Sequence, residues 1–242
     1  MSQKYPGGFI TKSPVAPTSS AASGMWTLDQ AMQLQKQGLW PAPPLAIGVA
    51  YGGGFYAGQI STAGNGIADY NLVVGPVSSA QNTSKMYKNA NTATAGADSV
   101  INGPQNTADI VAAGNATVYP AGHFCNDLVI GGFSDWYMPA QNELEVCYYN
   151  LKPTTATNQT SYGINSNAVP ARASNYTLGN PAQTTATNFQ SGGAEAFSVA
   201  NYWSSTEFDA TTSMYKYFGR GTQYFNAKVR SYYVRAIRRV AI

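Results

Sequence analysis

Residues 131–153 read GGFSDWYMPAQNELEVCYYNLKP, and the rest of the chain can be placed around this stretch. Pro139 suits a helix start, and the helix it opens runs through Asn150. Leu144, Cys147, Tyr148 and Leu151 fall at the spacing of a core-facing stripe. Glu143 sits early, where a carboxylate favours the helix dipole. Asp135 suits hydrogen bonds to backbone amides at a turn, and Trp136 beside it suits the core.

Toward the N-terminus, NTADIVAAGN (106–115) and YPAGHFCNDLVIGG (119–132) read as one helix, interrupted around Thr117 to Pro120. Residues 78–105 are polar and poor in apolar side chains, which predicts a surface loop. YNLVVGPV (70–77) is a strand with a Gly-Pro stop, and LAIGVAYGGGFYAGQIS (45–61) is a strand, a Gly turn and a second strand. Toward the C-terminus, residues 152–201 form a long Thr/Asn/Ala/Gly/Ser stretch, and such loops are functional or disordered. NYWSST, SMYKYFGRG, TQYFNAKVR and SYYVRAIRRVAI then read as strands to the end. Strands at both ends with two helices between them predict an α+β domain over residues 46–242 whose ends pair in one antiparallel sheet.

Composition narrows the function. The 242 residues carry 14 Lys plus Arg, 11 Asp plus Glu and one His, and only 10% are charged. An average soluble domain has about 25%, so neutral polar groups must supply the solubility. No apolar run approaches the ~18 residues of a membrane helix, and MSQKYPGGFITKSPVAPTSS lacks the apolar core of a secretory signal. Cys125 and Cys147 cannot make a disulfide framework or a four-ligand zinc site, and both read as buried, inert thiols. The single His123 disfavours His-based triads and metal centres, and no pair of catalytic carboxylates stands at a definable spacing. The chain reads as a non-enzyme without a cofactor or bound metal.

Residues 1–24 are rich in Gly, Pro, Ser and Ala and should be extended or disordered alone, ordering only against a partner. A short helix follows, with Thr27 and Gln30 spaced as a capping box, Gly38 as its stop and PAPP (41–44) as a stiff linker. Trp26, Leu28, Met32 and Trp40 give this 1–45 unit its apolar surface. One ten-residue helix cannot fold alone, so the unit packs on its own domain or docks onto a neighbouring subunit or a larger assembly.

At 131–153, NYWSSTEF (201–208) and YYVRAIRRV (232–240), the sequence resembles the collagen-like-adhesin C-terminal-domain family, found in phage proteins and bacterial surface proteins. GGFYAGQI (53–60), YNLVVGP (70–76) and HFCNDLVIGGFSDW (123–136) fit its N-terminal half, so the resemblance covers about residues 46–242. It implies a C-type-lectin-like fold. Ala140 departs from the Ser or Thr that caps the helix in that family, an expected cost of about 1 kcal/mol unless another group caps it. The 1–45 segment resembles one recurring in phage structural proteins. Together these imply a virion protein made in the host cytoplasm and carried on the released particle. It would dock through residues 1–45 to other virion proteins and act as a tail, fibre or baseplate-associated adhesin for a host surface glycan or protein. A homo-oligomer is expected, with a trimer as one arrangement that fibres use. Capsid decoration, or a tail-wall role without receptor binding, is the alternative.

By the same resemblance, ligand contact falls on the late strands and loops. Lys216, Arg220, Lys228, Arg230, Arg235, Arg238 and Arg239 hold half the basic residues, and no acid follows Asp209. They read either as solvent-facing alternation or as a positive face for an anionic partner. Nucleic acid is the poorer partner, since the net charge is only +3 and no nucleic-acid motif is present. Tyrosines crowd the same strands, and Tyr with Ser, Gly and Asn is the chemistry of antibody loops. The expected ligand-facing residues are Tyr215, Tyr217, Arg220, Tyr224, Asn226, Lys228 and Tyr232. Trp203 belongs to the core. Calcium-dependent sugar binding would need an E-P-N or Q-P-D loop, which is absent, and Glu195, Glu207 and Asp209 are scattered. Deleting residues 1–40 should leave a cooperatively melting domain that no longer joins particles, and failure of that fragment to fold would place the segment in the core.

Overall fold

The computed structural model describes residues 27–37 and 45–242. The chain divides into two units, residues 1–45 and 46–242. In the first, helix α1 (Leu28–Lys36) opens on the expected capping box. The Thr27 amide donates to Gln30 Oε1 at 3.0 Å, and the Gln30 amide donates to Thr27 Oγ1 at 3.2 Å. Leu28 and Met32 are exposed. Trp26, Trp40, Gly38, the PAPP linker and residues 1–24 lie outside the described residues.

The second unit is α+β. Its N-terminal part holds β1 (Ala50–Tyr51), β2 (Gly54–Ile60), β3 (Tyr70–Val74), α2 (Val77–Ala80) and β4 (Gln81–Met86). Three helices follow, α3 (Gly103–Ala113), α4 (Pro120–Asn126) and α5 (Gln141–Leu151). The C-terminal part holds β5 (Ala168–Val169), β6 (Asn201–Glu207), β7 (Thr212–Tyr217), β8 (Gln223–Ala227), β9 (Ser231–Arg235) and β10 (Ile237–Ala241). One sheet runs β1-β2-β3-β10, with β5 beside β2; the other runs β4-β9-β6-β7-β8. The pairs are antiparallel except for β6 with β9, which meet in parallel at Tyr202 and Tyr233. The expected pairing of the two ends is present: β10 lies antiparallel to β3, from Ile237 opposite Val74 to Ala241 opposite Tyr70. Ala236 is the corner where the last segment leaves one sheet for the other, held by Ala80 and Gly75 backbone bonds.

Two apolar clusters fill the unit. One gathers Leu144, Cys147, Tyr148 and Leu151 of α5 with Ile60, Leu72 and Val74 of the first sheet and Phe189 and Phe197 of the long loop. The other packs α3 and α4 against Trp136, Trp203 and Val234. The β1–β2 hairpin turns through Gly52 and Gly53 at φ of 54° and 82°, a backbone that side chains rarely adopt.

Three expectations need correction. The 78–105 stretch contains α2 and β4, which pairs with β9. It escaped detection because an edge strand is held by backbone bonds, and QNTSKM has no alternating apolar pattern. The helices between the strand sets are three, since α3 and α4 are separate. Gly114 is fully extended at φ 169° and ψ 173°, and the Asn115 carbonyl accepts the Val118 and Tyr119 amides, turning the chain before Pro120. The 152–201 stretch is poor in regular structure yet contributes buried Tyr176, Phe189 and Phe197.

Ala140 leaves α5 without a cap of its own, and a distant strand supplies one. Thr206 Oγ1 of β6 accepts the Gln141 amide at 3.0 Å and donates to the Ser99 carbonyl at 2.9 Å, while Glu143 Oε2 accepts the Ala140 amide at 2.8 Å. Thr206→Val keeps the shape and removes both bonds, so urea melts should show a loss of about 1–3 kcal/mol. An unchanged midpoint would show that this cap contributes nothing.

Candidate functional site

The C-terminal cations are neither a solvent-facing row nor a positive face. Lys216, Lys228, Arg235 and Arg238 are buried, and only Arg220 and Arg230 of the seven are exposed. Carboxylates from earlier segments meet four of them: Lys228 pairs with Glu207 and Arg235 with Glu195, each at 2.8 Å, Arg238 with Asp135 at 2.7 Å, and Arg239 with Glu143 at 2.8 Å. Asp135 therefore holds a guanidinium rather than turn amides, accepting from Arg238 Nε and Nη2. Lys228, expected at the ligand surface, is fully enclosed because its ammonium also donates to the Thr92 and Ala210 carbonyls. Burial lowers its pKa, and Glu207 works against that shift. Glu195 and Glu207 are thus structural. Asp209 accepts the Thr211 and Thr212 amides, and these bonds hold its carboxyl below the usual range.

The other expected ligand residues separate into two sets. Tyr215, Tyr232 and Asn226 are half-buried around Trp203, whose ring centroid lies 4.6 Å from Tyr232 and 6.4 Å from Tyr215. Asn226 Nδ2 donates to the Tyr232 hydroxyl at 2.7 Å. Tyr217 is half-buried as well. Tyr224 stands out at the free edge of the second sheet, where it stacks on Phe225 at 4.4 Å, and Phe225 stacks on Phe208 at 4.1 Å with planes 3° apart. Phe208 is 54% exposed and Tyr224 49%. Phe208 and Phe225 were missed because their stacking joins a strand end to an edge strand, a contact that periodicity does not show.

A second feature was also missed. Glu145 of α5 is buried and accepts from Arg172 Nη2, from Asn165 Nδ2 at 2.6 Å and from the Tyr176 hydroxyl at 2.5 Å. The Arg172 guanidinium lies 4.1 Å over the Tyr149 ring. These groups back a cavity of about 220 Å³ lined by Tyr149, Ala171, Arg172, Ala173, Ser174, Asn175, Tyr176 and Asn180. A signal existed: Arg172 and Glu195 are the sole charged residues between Lys152 and Glu207, and a lone charge in a neutral stretch calls for a partner.

Cys125 and Cys147 are buried free thiols. Burial raises both, Cys147 to about 12, so neither is a ready nucleophile at neutral pH. His123 Nε2 lies 2.7 Å from the Gly114 carbonyl. Among the described residues no three His, Cys, Asp or Glu side chains could hold a metal ion, and no helix is long and apolar enough to cross a membrane.

Lys216 is fully buried, its ammonium makes one hydrogen bond among the described residues, to the Tyr176 hydroxyl at 3.0 Å, and it lies 5.1 and 5.0 Å from the Tyr148 and Tyr176 ring centroids. Burial first, and then the charge of Arg172, hold its pKa well below the ordinary ammonium value. The unfolded chain therefore binds the extra proton, and the cost is fully present below the folded pKa. It fades as pH rises from there toward about 10.4. Lys216→Met should raise stability at pH 7 by about 1–3 kcal/mol, since the Tyr176 hydroxyl keeps its bond to Glu145. The gain should shrink in thermal melts at pH 10; an equal gain at both pH values would make packing, not charge, the cause.

A family model, the Lcl C-terminal domain, matches residues 81–238, about two thirds of the chain. No curated protein matches the chain. The match starts at β4 and ends within β10, so it takes in the aromatic edge, the Glu145–Arg172 cluster and its cavity, whereas β1 to β3 precede it. The chain belongs to the Lcl C-terminal domain family.

Proposed function

We propose that the chain is a phage virion protein whose 46–242 unit is a C-type-lectin-like domain of the collagen-like-adhesin type. It works as a tail, fibre or baseplate-associated adhesin, docked through residues 1–45 and reversibly bound to a host surface glycan or protein. One observation carries this reading: the stacked Phe208–Phe225–Tyr224 ridge stands open to solvent at the outer edge of β8. Exposed aromatic rings on a rigid edge offer large contact area at little conformational cost, which is how binding surfaces use them. Arg220 and Arg230, the two exposed cations of the C-terminal strands, bracket β8 in the chain and could steer an anionic cell surface. Many copies on one particle would turn weak single contacts into avidity.

Phe208→Ala and Tyr224→Ala remove solvent-facing rings, so each should lower host adsorption by about tenfold, some 1.4 kcal/mol, while thermal melts stay near the parent value. Gold-labelled antibody against residues 46–242 should mark the tail tip or fibres of intact virions. Gold spread over the capsid, with adsorption unchanged in both variants, would replace adhesion by a decoration or tail-wall role.

A further inference from the structure

Two Asn-Gly pairs occur in the chain, Asn65–Gly66 and Asn102–Gly103, and the fold sets them in opposite surroundings. In this dipeptide the glycine nitrogen has no side chain beside it to hinder attack on the preceding side-chain amide carbon. Asn102 caps α3, its Oδ1 accepting the Gln105 amide at 3.4 Å. The Gly103 amide donates to the Ile101 carbonyl at 3.2 Å, and Gly103 is buried against Glu143, Tyr137 and Ala140. The nitrogen that would attack there is engaged and packed in.

Asn65 lies in the turn that joins β2 to β3, which is fixed at its base and open at its tip. The Asp69 amide donates to the Ile60 carbonyl at 2.8 Å, and the Asp69 carboxylate accepts the Thr62 amide and hydroxyl, each at 2.6 Å. Asn65, Gly66 and Ile67 are exposed. Gly66 sits at φ 80°, a Cβ there would meet nothing within 4 Å, and its amide makes no hydrogen bond among the described residues. The Asn65 side chain, by contrast, is held. The Ile67 amide donates to Asn65 Oδ1 at 3.0 Å and the Ser61 hydroxyl donates to it at 2.8 Å. A backbone N–H only donates, which identifies the atom it meets as the amide oxygen. Two donors on that oxygen draw electron density from Cγ and are in place for the negative charge that attack would develop on it.

We propose that Asn65 is a self-modification site, and that the fold directs deamidation to this turn while withholding it from Asn102. The Gly66 amide gives its proton to solvent base, and its nitrogen bonds to Asn65 Cγ. Ser61 and Ile67 hold the oxyanion so formed. Its collapse breaks the Cγ–Nδ2 bond, Nδ2 leaves as ammonia with a proton from water, and a succinimide ring remains. Water then opens the ring at either carbonyl, leaving an aspartyl or an isoaspartyl residue at this position. Nothing is oxidised or reduced, and each ammonia released consumes one water. Either product adds a negative charge to a chain of formal charge +3, and the isoaspartyl form lengthens the turn by one backbone atom.

The test incubates the full chain in warm, mildly alkaline buffer, folded and in urea, and follows both sites by peptide mapping with isoaspartyl detection. In urea the two pairs should convert at similar rates, because only the local sequence then matters. In the folded protein Asn65 should convert at least about tenfold faster than Asn102, whose reaction must wait for α3 to open. Ser61→Ala removes one of the two donors and should slow Asn65 by roughly tenfold, less than the roughly hundredfold or more of an enclosed oxyanion site, since this turn is open to water. Gly66→Ala puts a methyl group beside the attacking nitrogen and should slow it as well. Continued protection of Asn102 shows that each variant is folded. Asn65 staying intact in the folded protein while urea converts it, or Asn102 reacting as fast as Asn65 in the fold, would overturn the proposal. An unchanged or faster rate in Ser61→Ala would overturn the part assigned to Ser61, whose bond would then be no activator.

Discussion

The C-terminal segment carries Arg235, Arg238 and Arg239 where no Asp or Glu follows Asp209, so the acidic side chains that pair with them come from earlier in the chain. That constraint ties the molecule together. Arg235 reaches the Gly75 carbonyl at 2.8 Å and Glu195 in the long loop; Arg238 reaches Asp135 and the Gly52 carbonyl; Arg239 reaches Glu143 at the start of α5. Glu143 also accepts from the Tyr137 hydroxyl and the Ala140 amide. Burial raises its pKa, while Arg239 and these donors oppose the shift. A buried carboxylate with a hydroxyl, an amide and a guanidinium as donors is tolerable; without its partners it would cost several kcal/mol. Closing the last strand onto β3 and seating α5 are therefore one event.

This arrangement changes what a low charge content means. With few charges on the chain, most of them could have been expected to face water. Instead four glutamates are spent on inward ion pairs with Lys or Arg, exposed Asp135 holds buried Arg238, and Lys88 and Lys152 end on backbone carbonyls. The outer surface is left mostly to neutral polar side chains and a few aromatic rings, with Arg220 and Arg230 among its few exposed charges, so short-range contact dominates.

Loops that carry binding groups need a rigid base. The 152–201 stretch has little regular structure, yet Tyr176, Phe189 and Phe197 anchor it in the core, and Asn158 and Asn165 bond its backbone and the start of α5. Phe197 stacks on Phe218 of the β7–β8 connection at 4.0 Å. The loop is thus built as part of the scaffold, and its cavity is shaped by anchors lying far apart in sequence.

Local pattern alone determined much of this protein. The β1–β2 hairpin, β3 with its Gly-Pro stop, the buried stripe of α5, the capping box of α1 and the run of late strands were all legible, because each is set by residues within a few positions of one another. The family was legible from ordered blocks of such patterns. What only the tertiary structure decided were the pairings across the chain: Thr206 capping a helix 65 residues earlier, Arg172 finding Glu145, Phe208 stacking on Phe225, and four arginines and lysines turning inward where alternation suggested outward. A charge or ring in sequence states what partner it needs, but the partner's position is fixed only when the sheets close, since desolvation makes the pairing obligatory without making it local.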